Sequence, residues 1–388
     1  MRLQALLPLT AVALLSALLP LAAAIASDRP LGDLLLFPLN ERAWDPSPSS
    51  AAFTLAAYIV GIGIVAMLLW LVWPRQPSAA SAQRPERAGH WPKFVWLAPL
   101  CALAAVAAID GGAGNAAIGL VTLALTLILN ADTERRTGTS LISRRRDYFL
   151  LLFPTSLAAG WLLFYWLNLF VGLWVYPDAI EAVPFALGKS IDYATLLPAL
   201  LSLRQWLASF PGPLGMTNRG LRIGGDDCPP TRQEGWLLMA FGSLALLAGT
   251  IWPDALYWLF LAAPLVLAFG IHVLRQQPTS LVGLQRGDWS RPLLTALAAL
   301  ALLTIGQALN LLLGDVWMYR LALLGGPMVL QIPGPVWVMA PLLYALLGLW
   351  LADQLTDPFR QRPQHPPFRP RAPVKIPIVD LLRQKDRD

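Results

Sequence analysis

The chain has little of what most catalytic or metal-binding strategies require. Two cysteines, Cys101 and Cys228, stand in 388 residues, too few for a disulfide framework and without metal-ligand spacing. The three histidines, His90, His272 and His365, are far apart, and His272 reads as an interfacial residue near a helix end. No H-E-x-x-H, G-x-S-x-G or phosphate-binding loop is present. No metal, cofactor or nucleotide is therefore expected. Charge is scarce as well, at 13% of residues, and no two carboxylates share an apolar face for acid–base work. Such a chain is outside the ordinary soluble class.

What is present is apolar: 56% of residues, much of it in long uncharged runs. About 20 apolar residues suffice to cross about 30 Å of hydrocarbon. Ala51 to Trp73, Phe94 to Ile109, Gly111 to Ala131, Tyr148 to Pro177 and Ile191 to Leu207 qualify or nearly so. Gly235 to Pro253, Ala255 to Leu274, Pro292 to Gly314 and Ile332 to Ala352 follow. The start, Leu3 to Ile25 behind Arg2, reads as an uncleaved anchor, although Ala24-Ile25-Ala26 has the spacing of a signal-peptidase site. The expected fold is thus all-α and polytopic, an integral membrane protein of about ten transmembrane helices.

Basic residues set an expected orientation. With Arg2 inside, alternate segments hold Arg75 to Lys93, Arg135 to Arg146, Arg204 to Arg232, Arg275 to Arg291 and the basic tail. The opposite segments hold only Arg29, Arg42, Lys189 and Arg320. That asymmetry follows the positive-inside rule and predicts both termini in the cytoplasm of a bacterial inner membrane, if the first helix is retained. The net charge of +6 is then mostly topology, and no nucleic-acid partner is expected.

The chain also carries itself twice. Trp96-Leu97 recurs as Trp236-Leu237, Thr139-Ser140-Leu141 as Thr279-Ser280-Leu281, and Asp147-Tyr148 as Asp288-Trp289. Leu167-Asn168 with Gly172 returns as Leu309-Asn310 with Gly314, and Trp174, Tyr176, Pro184 and Pro198 as Trp317, Tyr319, Pro327 and Pro341. This order predicts a tandem duplication of a four-helix unit. The expected organisation is two leading helices (1–73), a cytoplasmic linker (74–93), repeat one (94–210), a linker (211–233), repeat two (234–353) and a basic, proline-rich tail (354–388). An even number of spans per repeat makes the halves parallel. The tail has two readings, a solvated segment near anionic lipid or a docking peptide for a cytoplasmic partner.

Polar side chains in hydrocarbon are expensive, so the few present are the candidate site. Asn168 and Asn310 are matched between repeats, each followed by a tryptophan of the interfacial aromatics Trp174, Tyr176, Trp317 and Tyr319. Trp prefers the headgroup level. Asn168, Lys189, Asp192, Gln307, Asn310, Asp315 and Gln331 are therefore expected near the outer level, lining a polar pocket open to the periplasm or outer leaflet. Two alternatives stand beside this: the Asn pair as glue between helices, and Lys189 with Asp192 as an i,i+3 ion pair at the interface. Gly172 and Gly314 are expected to allow close helix packing.

Asn310, Trp317, Tyr319, Pro333 and Pro341, echoed by Asn168, Trp174, Tyr176 and Pro198, resemble an uncharacterised family of polytopic bacterial membrane proteins. That family shows W-E-x-x-N, then W-x-Y, then two prolines eight apart. The Glu is absent here, where Tyr165 and Gln307 stand three residues before each Asn. The resemblance implies no known activity. More distantly the pattern is similar to membrane carotenoid (lycopene) cyclases, but the acidic pair such an enzyme would use is replaced by Gly334-Pro335, which argues against that activity. The expected function is a non-enzymatic membrane protein binding a lipid or amphiphile on its outer-leaflet side, or a membrane subunit of a larger complex. The alternatives are an isoprenoid- or lipid-modifying enzyme around Asn168, Asp192 and Asn310, and a secondary transporter. With no buried acid expected, proton coupling is not anticipated.

Overall fold

Where the apolar runs stop decides where the helices stop. The computed structural model describes residues 7–30, 32, 37–39, 47–73, 90–177, 179–210, 220–222, 231–275, 283–285 and 287–356. Ten long helices follow in chain order: α1 Leu7–Ala26, α2 Ala51–Val72, α3 Leu97–Asp110, α4 Gly114–Thr137, α5 Arg146–Val171, α6 Ala182–Ala208, α7 Arg232–Ile251, α8 Pro253–Leu274, α9 Ser290–Leu312 and α10 Val336–Thr356. Among the described residues nine helices are long and apolar enough to cross a membrane. The described chain is all-α in class. The remaining one, α6, is the longest at 27 residues, but Lys189, Asp192 and Arg204 lower its hydropathy below that of the nine. The expected linker 74–93 and the tail from 357 onward fall wholly or mostly outside the described residues.

Helix ends follow local chemistry. Ser50 caps α2 by accepting the Phe53 N–H, and Thr231 with Glu234 forms a capping box on α7. Gly138, at φ +77, closes α4 in the left-handed conformation. The span limits nearest the site differ from expectation. Instead of running from Tyr148 to Pro177, α5 stops at Val171, and Trp174–Val175 forms a short strand β1. Nor does α10 begin at Ile332; Ile332–Pro333 is strand β4, paired with β3 Met328–Val329. The N-terminal end of α6 lies at Ala182, so Lys189 and Asp192 sit well inside the helix.

Gly172 and Gly314 turn the chain, and at Gly314 an added Cβ would meet nothing within 4 Å, so close packing is not its role. Both have positive φ, +55 and +84, a region a Cβ disfavours. Gly172 N donates to Asn168 O at 2.6 Å and Asp315 N to Asn310 O at 3.0 Å. Each glycine turns the chain out of its helix. After each turn the chain meets its counterpart, because β1 pairs antiparallel with β2 Met318–Tyr319, Trp174 opposite Tyr319. We call this rim of the bundle the ladder end.

Packing is closest where glycine removes a side chain. A Cβ on Gly119 of α4 would sit 2.6 Å from Asp192 N, and one on Gly160 of α5 only 2.4 Å from Tyr193 Cβ. These contacts press α4 and α5 onto α6. Ser156 of α5 reinforces them, its hydroxyl donating to Tyr193 O and accepting from Leu197 N at 2.9 Å, just before Pro198, which has no N–H to offer. One core joins α1, the end of α5 and α8 around Phe170, Tyr257 and Phe260. A second joins α4, α5, α6, α9 and α10 around Leu152, Leu200 and Leu201. By contrast α2 buries only Gly61 and leans on α10 and the 323–335 segment.

Candidate functional site

Two features stand out: a charged pair enclosed by aromatic rings near the ladder, and an apolar cleft beside α2. In the pair, Lys189 Nζ is 3.0 Å from Asp192 Oδ2, with side chains 3% and 9% exposed. The spacing i,i+3 on α6 brings the groups together, as expected, and both side chains are shielded from solvent. Asp192 is thus a buried acid, which corrects the expectation that the chain has none.

Aromatic rings hold the ammonium. Lys189 Nζ lies 4.8 Å from the Tyr176 ring centroid, 5.5 Å from that of Tyr193 and 4.8 Å from that of Trp317. A cation over ring faces is attracted by their quadrupoles, by about 2 kcal/mol or more when desolvated. The cage draws on both halves of the chain, Tyr176 and Tyr193 from the first and Trp317 from the second. Its walls are fixed in turn. Tyr176 and Tyr193 hydroxyls are 3.0 Å apart, and Trp174 Nε1 donates to Tyr176 Oη at 3.1 Å. A wider, π-type turn at Trp161–Trp166 within α5 sets Trp161 and Phe164 against Tyr193 at 5.5 and 5.9 Å between centroids. Trp174 and Tyr319, opposite one another in the ladder, meet edge-to-face with centroids 6.3 Å apart.

The two asparagines serve the loops that carry these rings. Asn168 Oδ1 accepts from Leu173 N at 2.8 Å and Trp174 N at 3.3 Å, while Nδ2 donates to Trp174 O at 2.7 Å. Asn310 repeats this on Trp317, accepting its N–H and donating to its carbonyl, both at 2.9 Å. Each side chain therefore spends its amide on its own loop, which positions Trp174 and Trp317. Asn168→Ala or Asn310→Ala leaves buried backbone groups unpaired and is expected to cost about 1–3 kcal/mol each. Thermal unfolding in detergent, compared with wild type, measures this.

The remaining candidates are placed differently. Gln307 is buried on α9, one turn before Asn310, with Oε1 unpartnered. Asp315 follows the helix at φ +60, its Oδ1 also buried and unpartnered. Gln331 sits with Leu330 in the exposed β3–β4 turn, both at positive φ, and no described hydrogen bond or ion pair joins it to the others. His272, near the end of α8, is buried, with Nδ1 3.4 Å from Gln354 Nε2. Among the described residues, no three His, Cys, Asp or Glu side chains gather as a metal site.

The cleft was not visible in the sequence. It lies between the first turns of α2 and the 325–327 turn, with a volume of about 570 Å³, and its walls include Thr54, Leu55, Tyr58, Gly325, Gly326 and Pro327. Hydrogen bonds seat α2 there: Gly325 N donates to Thr54 Oγ1 at 2.9 Å, and Tyr58 Oη donates to Pro327 O at 2.9 Å. Gly334 N donates to Tyr58 Oη at 3.3 Å. At Gly326, φ is +96 and Tyr58 Oη would be 3.3 Å from a Cβ, so glycine keeps the turn against the helix. Thr54 and Tyr58, the two hydroxyls in an otherwise apolar α2, were the available signal. No family model, curated protein or solved structure matches this chain.

Proposed function

We propose that the protein is an integral membrane protein that binds a single lipid or other amphiphile in the cleft between α2 and the 325–327 turn. The observation that carries this reading is the cleft itself. Its volume of about 570 Å³ falls in the range of small-molecule sites, and the neighbouring α2 surface, Leu55, Ile59 and Ile62, is exposed and apolar. An acyl or isoprenoid chain entering from the bilayer would lie on Leu55 and Pro327, with its polar end toward Ser49. We read the two halves as a tandem, parallel duplication in a bacterial inner membrane, with α6 as a tenth span. The basic residues support a ladder end facing outward and both termini in the cytoplasm.

Catalysis by Asp192 is less well supported. Its carboxylate is held by Lys189 inside a ring cage, and Asn168 and Asn310 are spent on backbone. A second reading, a secondary transporter, is favoured by the buried ion pair lying between halves, and it predicts flux across proteoliposomes.

Leu55→Trp tests the amphiphile reading, since the larger side chain occupies the cleft. Native mass spectrometry of gently extracted protein should show an amphiphile retained by wild type and reduced about tenfold in the variant, a difference of about 1.4 kcal/mol, with unchanged unfolding. A wild-type protein that retains none would overturn it.

A further inference from the structure

At the end of the bundle opposite the ladder, arginines from distant parts of the chain converge. Arg204 lies one turn from the end of α6, Arg291 in the first turn of α9, Asp353 in the last turn of α10 and Tyr148 in the first turn of α5. Arg291 Nη2 contacts Asp353 Oδ1 at 2.9 Å, and Tyr148 Oη donates to Ala352 O at 3.2 Å. Arg204 is within electrostatic reach of Arg291, Asp353 and Tyr148, and Tyr148 is within reach of Arg145 as well. Two guanidiniums, Arg204 and Arg291, thus share one carboxylate, with a third, Arg145, near Tyr148.

The donors are not all used. Arg204 Nη1 and Arg291 Nε are both buried, and neither has a hydrogen-bond partner among the described residues. A buried charged donor left unpaired is costly, and two like charges from separate helices add repulsion. A folded chain retains that arrangement when a ligand offsets it. Guanidinium forks suit phosphate oxygens, which accept two parallel N–H bonds, and the positive end of α9 adds to the field near Arg291.

We infer that Arg204 and Arg291 hold a phosphate-type oxyanion between the two halves of the chain, with Asp353 competing for Arg291. The oxyanion is either the headgroup of an anionic lipid or free phosphate. The site is distinct from the cleft and stands whether or not the cleft binds an amphiphile.

The test uses the full chain in nanodiscs of phosphatidylcholine, with or without phosphatidylglycerol. Native mass spectrometry counts retained phosphatidylglycerol, and thermal unfolding follows titration with inorganic phosphate. Arg204→Gln and Arg291→Gln should each weaken anion binding about tenfold or more. Asp353→Asn should tighten it several-fold by freeing Arg291, an effect that a merely structural role would not give. Retained phosphatidylglycerol without a phosphate response identifies the headgroup, and a phosphate-dependent shift in phosphatidylcholine discs identifies the free anion. Wild type that binds neither, or variants that all match wild type, overturn the assignment. If the arginine variants do not fold, Asp353→Asn decides alone.

Discussion

Lys189→Met should unfold the protein at markedly lower temperature, at a cost of about 3–5 kcal/mol, the typical penalty for stripping one partner from a buried pair. The reason is the enclosure of Asp192: with its side chain 9% exposed, the carboxylate has no water to turn to once the ammonium 3.0 Å away is removed. The three rings around Lys189 lose their cation at the same time. Replacing both members, Lys189→Met with Asp192→Leu, should recover most of the loss, because two apolar side chains need no compensation. Thermal unfolding of the two variants against wild type settles the point. A single substitution that costs under about 1 kcal/mol would mean that the pair is solvated. The double variant also separates roles: full stability with lost flux in proteoliposomes would assign the charges to transport.

Gly119→Val should be nearly as damaging, at about 3 kcal/mol, the upper part of the range for overpacked cores. The first added carbon would lie 2.6 Å from Asp192 N and 2.7 Å from its Cα. Backbone cannot rotate aside as a side chain can, so α4 and α6 must separate just where the ion pair sits. The comparison that isolates this effect is Gly63→Ala or Gly306→Ala. Neither meets an atom within 4 Å, and each should gain about 0.5–1 kcal/mol from helix propensity. Unfolding midpoints that move in opposite directions for Gly119 and Gly306 would support the packing argument; equal shifts would defeat it.

The contrast between these two predictions shows what was legible beforehand. Long apolar runs, unbroken by charge, specify their own helices, so α2 begins and ends almost where the run does. Lys189 and Asp192 could be seen as a pair from their spacing alone. Their burial could not, because it depends on Gly119 and Gly160 of two other helices. Strands β1 and β2 carry no local signature either, since two residues form a strand only when a partner more than a hundred positions away supplies the ladder. The β3–β4 turn hides for a related reason. Leu330 and Gln331 take positive φ without the glycine or asparagine that usually announces it. No described hydrogen bond or ion pair accordingly joins Gln331 to Asn310 or Asp315, its neighbours in sequence among the polar candidates. Asn168 and Asn310 were visible as a matched pair, but their hydrogen bonds to Trp174 and Trp317 depend on helix-ending turns at Gly172 and Gly314.

The β1–β2 ladder has a mechanical consequence. It ties the first half of the chain to the second through backbone hydrogen bonds at one rim, with Arg320 N to Leu173 O at 2.6 Å among them. A seam fastened along one edge behaves as a pivot. Helices of about 20 residues are about 30 Å long, so a tilt of about 5° about the seam shifts the far rim by nearly 3 Å, a length fixed by the same rise per residue. The core around Leu152, Leu200 and Leu201, which joins α4, α5 and α6 to α9 and α10, opposes such a tilt. The two halves are thus fastened twice, by backbone at the rim and by side chains below it.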